Sequence, residues 1–477
     1  MTYMKIPEKA SITLKDAPDI RLGVKRTEYG WQFGIFSDDA ELLLTLFDKN
    51  TPDAGVCIEV PPDFRRGRIY SFILEAMGMD ADELDGLCYA VGEGRRADIY
   101  APEYCYANGV DAHGGDDFGR SRDELCSVMR GFEVCNTEKG GDNGCVNKNL
   151  TDNLIIYKLH VRGFTKLENG GSFRALAGKA AYIHELGMNA VLLMPCYEFH
   201  EVAAVRSGRN NHYGAEYVNK INYWGYTDGC YFAPKRAYCE GDNCMQEFSD
   251  MVHTFHESGI AVLMEMWFPQ DMAPIAAVEV LRHWHTVYGV DGFRVIGSGG
   301  LMFAARTDMG LTGCMLIGDD FGGESFHIGG INELYDDKKR LIRYDEGFME
   351  AARHFLRGDE DSIGNFVHKL TRHEGGHPTI NFMADQNCLS LMDMVSYDHR
   401  HNEYNGENNS DGRRYNISFN CGVEGKTKRE VILRQRYRMI KNALAMTILS
   451  SSVPMIVAGG GGGAGVLASY ATVLPNP

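Results

Sequence analysis

Between residues 20 and 100 apolar and polar positions alternate in short runs, as in "GWQFGIFSDDAELLLTLFD", "GRIYSFILEA" and "GLCYAVG". A period of two broken by turn-forming Asp pairs predicts an antiparallel β-sandwich. The stretch Asn136 to Asn153, "NTEKGGDNGCVNKNLTDN", is polar and rich in Gly and Asn, which predicts a linker. From Leu154 the rhythm changes to short apolar runs separated by longer amphipathic segments. "LIIYKLHV", "AVLLMP", "AVLMEMWF", "GFRVIG", "CMLIGD", "INFM" and "VPMIVAG" read as strands buried on both faces, and "FRALAGKAAYIHELG", "MQEFSDMVHTFHESG" and "PIAAVEVLRHWHTVYG" as helices with one apolar side. That alternation predicts an α/β fold of the (β/α)8 TIM-barrel type. Seven barrel strands are assignable; the sixth, between "CMLIGD" and "INFM", has no visible pattern. The expected domains are a β-sandwich with its linker over 1–149 and a barrel over 150–477. The run Ala458 to Gly465, "AGGGGGAG", follows the last strand and opens no βαβ unit, which excludes a dinucleotide-binding reading.

Composition narrows the partners. The chain has 477 residues, 44% of them hydrophobic, enough for one large core and a smaller one. With 48 basic against 65 acidic residues its net charge of −17 repels phosphate backbones and anionic membranes, so no nucleic-acid or membrane partner is expected and a neutral one fits better. No apolar leader opens the chain and no spanning run of about 18 residues occurs, which predicts a cytoplasmic protein. The 13 cysteines are scattered and odd in number, suggesting neither a disulfide framework nor a zinc site; Cys239 and Cys244 are close but lack a matching second pair.

Working residues of such a barrel sit at the C-terminal ends of its strands. Those ends offer Glu265, Arg294 followed by Val295 and Ile296, Asp319 and Asp320, and Gln386-Asn387. Splitting a glycosidic bond takes a protonated acid and, in retaining enzymes, an ionised carboxylate about 5 Å away. Only Asp319 is well placed.

The stretches "YKLHVRGFT", "GSFRALAGKAAYIHELGMNAVLLMPCYEF", "NYWGYTDGCYFAPKRAY" and "SYDHRHNEYNGENNSDGRRYNISFNCGVEG" resemble the isoamylase and glycogen-debranching branch of the α-amylase superfamily, in the right order and from about Gly23 nearly to the last strand. The resemblance implies a carbohydrate-module-like sandwich before a barrel that binds α-glucans such as glycogen, amylopectin or maltooligosaccharides, with no cofactor and no metal. It also implies that the catalytic positions are substituted. The family's nucleophile stands two residues after the Arg of "GFR", where this chain has Ile296; the acid position holds Asp319, one methylene shorter than the family's Glu. The family's "HD" pair reads Gln386-Asn387, and the Asn-His closing strand three reads Pro269-Gln270. The long loop after strand three and the family's C-terminal β-sandwich are absent. Retained for binding are Tyr226, the sugar-stacking position, with Trp224 beside it, and Arg294, whose lost nucleophile leaves Asp319 or Glu265 as its expected partner.

Other motifs have plainer readings. His160 and Arg162 are expected to hydrogen-bond at the barrel end. "HEGGH", His373 to His377, matches HExxH by letter, but its glycines and Pro378 argue for a loop. The basic face from Lys426 to Lys441 is read as solvated. The expected function is therefore an isoamylase-like α-glucan-recognising protein, catalytically impaired, acting alone or with an active isoamylase-type partner. The alternatives are an active α-1,6-glucan debranching hydrolase using Asp319 with Asp320 or Asp385, and a structural partner that binds no sugar.

Overall fold

A computed structural model describes residues 6–106, 125–131, 153–199, 202–203, 220–321, 340–371, 377–403, 409 and 412–458. Two antiparallel sheets form the N-terminal part. One runs in the order Ile12–Asp16, Ile69–Ala76, Gly30–Phe36, Gly23–Thr27, with Arg65–Arg66 added to the second strand. The other runs Val56–Val60, Leu42–Phe47, Cys88–Val91, Leu125–Val128, Tyr104–Tyr106. Alternate residues of both sheets, among them Trp31, Phe33, Leu44, Leu46, Phe72 and Tyr89, meet in one buried cluster, as a two-residue period requires. Buried Trp31 keeps its indole N–H satisfied by donating to the Ala81 carbonyl at 2.8 Å.

Eight parallel strands then close into a barrel: β1 (Ile156–Leu159), β2 (Ala190–Leu193), β3 (Ala261–Trp267), β4 (Gly292–Ile296), β5 (Met315–Gly318), β6 (Leu341–Tyr344), β7 (Thr379–Asn381) and β8 (Val453–Val457). The strand invisible to the pattern is β6, "LIRY", whose short apolar run is broken by Arg343 and flanked by the charged stretches "DDKKR" and "DEG". The expected helix "FRALAGKAAYIHELG" is split into Phe173–Ala177 and Ala180–Glu185 around Gly178.

The barrel interior is layered. Ile156, Ala190, Leu192, Leu263, Met315, Ile317, Ile342, Ile380, Val453 and Met455 pack in its middle. Two residues further along the strands the inward positions become Lys158, Glu265, Arg294 and Tyr344, so an apolar plug carries a polar layer at its C-terminal end. The opposite faces of the strands pack under helices such as Cys244–Glu257 and Pro274–Tyr288.

Several local expectations change. Cys239 and Cys244 are joined in a disulfide. Five residues of separation bring two cysteines together where the chain turns back into a helix, without any wider framework among the described residues. Arg436, within the basic face read as solvated, is buried and donates to the carbonyls of Gly425, Asn420 and Val423, locking the turn before its helix. His373 and nearly all of the expected linker lie outside the described residues, as does the glycine run after Ala458. No helix among the described residues is long and apolar enough to cross a membrane, and none of their His, Cys, Asp and Glu groups is arranged to hold a metal.

Candidate functional site at the barrel mouth

The polar layer forms the floor of a cavity of about 630 Å³ walled by Tyr226, Trp267, Arg294, Ile296, Asp319, Arg343, Tyr344, Asp345, Glu346, Asp385, Gln386 and Asn387. The ends of β3 to β7 supply the wall, and one loop supplies Tyr226. That loop is shaped by Gly225, at φ +78°, where a Cβ would lie 2.5 Å from the Phe199 ring. Its amide donates to Asn222 Oδ1 at 3.1 Å, and the Tyr197 hydroxyl donates to the Thr227 carbonyl at 2.7 Å. Only glycine fits this turn, and the turn delivers Tyr226 to the cavity.

Lys158 sits at the centre of the floor, fully buried. Its ammonium lies 2.8 Å from Glu265 Oε1 and 2.8 Å from Asp385 Oδ1, and it donates to Gln386 Oε1 at 2.5 Å. Arg294 donates to Glu265 Oε1 at 2.6 Å and lies over the Tyr344 ring, 3.4 Å from its centroid. The Tyr344 hydroxyl donates to Asp385 and the Tyr226 hydroxyl to Glu265. Two cations, two carboxylates and two phenols thus form a closed and electrically neutral set, the condition under which buried charge is tolerated.

The electrostatics follow from this geometry. Burial pushes Glu265 and Asp385 up, but Lys158 and Arg294 outweigh it and hold both carboxyls below their usual range. Burial works against the charge of Arg294, which Tyr344, Glu265 and Asp385 more than offset. Asp319 behaves oppositely: desolvation at the cavity wall raises its carboxyl, Arg294 opposing and Asp385, Glu265 and Asp345 adding. Its side chain remains exposed, so solvent screening moderates the effect.

The loop carrying Asp385, Gln386 and Asn387 is anchored from behind by Arg353. This fully buried arginine donates to Met383 O from Nε at 2.9 Å, to Asn416 O at 2.7 Å and to Leu389 O at 3.1 Å. Outside the floor, the acids of the wall are also engaged: Asp345 faces Lys369 at 3.2 Å and Glu346 faces Arg413 at 2.8 Å.

The structure brings Tyr226, Arg294, Ile296, Asp319, Gln386 and Asn387 to one cavity and leaves two expected residues outside it. Gln270 is exposed in the turn after β3. Trp224 packs edge-on against His160 and Tyr223, at ring separations of 5.8 and 5.3 Å, outside the cavity wall. Of the two partners expected for Arg294, the ion pair is made with Glu265. Asp320 is exposed beyond the wall. Asp291, the last carboxylate before Ile296 in the sequence, lies at the far end of β4, accepting from Val262 N at 2.7 Å and facing His256 at 2.8 Å. His160 caps the helix Val161–Asn169, accepting from Gly163 N, and Arg162 donates to the Ala237 carbonyl. Sequence reasoning missed Lys158, Trp267, Arg343 and Tyr344. Lys158 was signalled by a lone lysine at an inward position of the strand "IYKL", whereas Arg343 and Tyr344 were hidden with the unassigned strand.

No family model matches the chain. It is 27% identical to isoamylase 1, chloroplastic, of Oryza sativa subsp. japonica over 64% of this chain and 48% of the relative. It is 25% identical to the glycogen operon protein GlgX homolog of Mycobacterium bovis over 92% of this chain and 72% of the relative. Both relatives are of the isoamylase and glycogen-debranching type, and it is to these that the chain is similar. It spans about half the length of the chloroplastic isoamylases it matches. Among solved structures, the product complex of the glycogen-degrading pneumococcal virulence factor SpuA superposes with a TM-score of 0.64 at 14% identity, covering 92% of this chain and 50% of that one. The group B streptococcal pullulanase SAP bound to maltotetraose gives 0.62 at 15% identity, covering 93% and 64%. These two likenesses describe the fold.

Proposed function

We propose that this isoamylase-type chain recognises α-glucan at its barrel mouth and is impaired as a hydrolase. The observation that carries the reading is the state of the cavity carboxylates. Position 296, two residues after Arg294 on β4, is aliphatic, and Asp385 is neutralised by Lys158, Arg294 and the Tyr344 hydroxyl. A carboxylate bonded to a lysine ammonium and a phenol hydroxyl, with the Arg294 charge nearby, has lone pairs committed, and attack on an anomeric carbon requires giving them up. The cavity nonetheless keeps rings suited to the apolar face of a sugar, Tyr226 and Trp267, beside polar groups that would orient it. Glycogen, amylopectin or maltooligosaccharides are the proposed ligands, with residues 1–149 as a carbohydrate-module-like domain and an active isoamylase-type chain as the proposed partner in hydrolysis.

A second reading is favoured by one observation. Asp319 is shifted up and Asp385 down, the division expected of an acid and its ionised partner. It would make the chain a slow α-1,6-glucan hydrolase. Isothermal titration with linear and branched maltooligosaccharides, beside an assay of released reducing ends, separates the two. Binding without release supports the first reading, turnover supports the second, and neither leaves a structural partner without sugar binding.

A further inference from the structure

On the face of the second N-terminal sheet turned away from the sandwich core, Phe47, Cys88, Ala90, Cys105 and Val128 form a separate apolar cluster, with Cys126 packed against it. Three thiols therefore share one small patch. The Cys88 and Cys105 sulfurs are 3.0 Å apart, and Cys105 and Cys126 are directly opposed in the antiparallel ladder between Tyr104–Tyr106 and Leu125–Val128. Cys88 and Cys105 are buried, whereas Cys126 is partly open to solvent.

Strand geometry decides which pair can bond. A disulfide needs Cα atoms roughly 4.4–6.8 Å apart. Directly opposed residues of an antiparallel pair stand at about 4.5–5.5 Å, within that range. Cys88 and Cys105 lie on strands that flank Leu125–Val128 on either side, so their backbones are separated by about two strand spacings of 4.7–4.9 Å each. Their sulfurs touch only because both side chains reach over the middle strand. A bond between them would pull two strands across a third.

We propose that Cys126 and Cys105 are a thiol–disulfide exchange site for low-molecular-weight disulfides, with Cys126 the attacking and Cys105 the resolving thiol. The Cys126 thiolate attacks one sulfur of RSSR, forming a Cys126–S–S–R mixed disulfide and releasing RS⁻, which takes up a proton. Cys105, losing its proton, then attacks the Cys126 sulfur and expels the second RS⁻. Two protein thiols are oxidised to one disulfide and RSSR is reduced to two RSH. The partly open thiol must act first because solvent reaches it, and the buried one must resolve because it lies opposite. The contact with Cys126 lowers the Cys105 pKa while Cys88 and burial raise it; the net rise keeps Cys105 protonated, so it does not compete with Cys126 for the first attack. The bond would tie Tyr104–Tyr106, the edge strand of its sheet, to its neighbour.

The test incubates the reduced full-length protein with oxidised glutathione and maps disulfides by mass spectrometry of alkylated peptides. Exposed Cys57 serves as internal control, since it should carry glutathione as a mixed disulfide. The expected product is a Cys105–Cys126 linkage, retained in Cys88→Ser, absent in Cys126→Ser with Cys105 left alkylatable, and stopped at glutathionylated Cys126 in Cys105→Ser. Thermal unfolding of the oxidised wild type should shift upward relative to the reduced protein, and Cys126→Ser should lose that shift. Glutathione on Cys57 with Cys105 and Cys126 both still free, a Cys88–Cys105 linkage, or wild-type Cys126 remaining glutathionylated would each overturn the proposal.

Discussion

Replacing Lys158 with methionine removes the one ammonium shared by the two buried carboxylates of the cavity floor. Before the change, Lys158 and Arg294 balance Glu265 and Asp385; afterwards Arg294 alone faces both acids, and the set carries one uncompensated negative charge. Lys158 and Glu265 have no solvent-accessible side chain and Asp385 is 3% exposed, so water cannot substitute for the lost partner. Breaking a buried pair by removing one member costs about 3–5 kcal/mol. For a domain of this size such a loss corresponds to a fall in Tm on the order of 5–15 °C. Methionine fills much of the lysine stem's volume, so little of the effect is cavity formation. The measurement is near-ultraviolet circular dichroism on heating, because three of the four tryptophans, Trp224, Trp267 and Trp284, lie in the barrel. The double variant Lys158→Met/Asp385→Asn restores neutrality and should be less destabilised than the sum of its parts. The sign with pH follows from the depressed carboxyls. Their contribution is present above the ordinary carboxylate range and is lost as pH falls through the lower folded values, so the wild type's advantage should be full at neutral pH and shrink below about pH 4. A Tm within about 2 °C of wild type, or strict additivity in the double variant, would refute the reasoning.

Tyr226→Ala should weaken maltooligosaccharide binding several-fold, an aromatic contact being worth about 0.5–1.5 kcal/mol beyond its area, and titration calorimetry measures it. Arg353→Leu should lower the barrel's Tm by several degrees and speed amide exchange in 383–389, since the hydrogen bonds of a buried guanidinium to the Met383, Asn416 and Leu389 carbonyls are lost with the loop they hold. Asp319→Asn should leave stability unchanged in acid and raise it modestly at neutral pH. A raised carboxyl favours the fold below its unfolded pKa and loses that contribution as pH rises through the folded value, and an amide has no such loss; pH-dependent urea unfolding reads the difference. Ile296→Asp alone should leave reducing-end release near background, because Asp385, Gln386 and Asn387 remain as they are.

The architecture was legible because it is written in periodicity. Residues Gly30–Phe36 and Leu42–Phe47 alternate as half-buried strands must, and barrel strands such as Ala261–Trp267 read as continuous apolar runs because both faces are covered. β6 escaped because Arg343 breaks its apolar run and charged residues flank it on both sides, whereas equally short strands such as Ala190–Leu193 are uninterrupted. At the site, the GFR and LIGDD stretches ending β4 and β5 placed Arg294, Ile296 and Asp319 on one cavity, since strand order fixes where strand ends meet. What could not be read was the pairing. Whether Arg294 would turn to Glu265 or Asp319 depends on distances across the barrel, and the part played by Lys158 depends on three residues far apart in the chain. Trp224 was placed by its neighbourhood to Tyr226, but a one-residue step along a loop turns a side chain away from the cavity; Gln270 was placed by the motif that closes strand three, and lies exposed in the turn beyond it.

The central claim is that a glucan can be held where it is not cut, and the most direct measurement is reducing-end release from amylopectin and pullulan by protein whose maltooligosaccharide binding has been established by titration in the same preparation. The account predicts saturable binding with release at least roughly 10⁴-fold slower than an active debranching enzyme, the loss that removal of a nucleophile commonly brings. Turnover within the ordinary range of about 1–10³ per second by that preparation would contradict it.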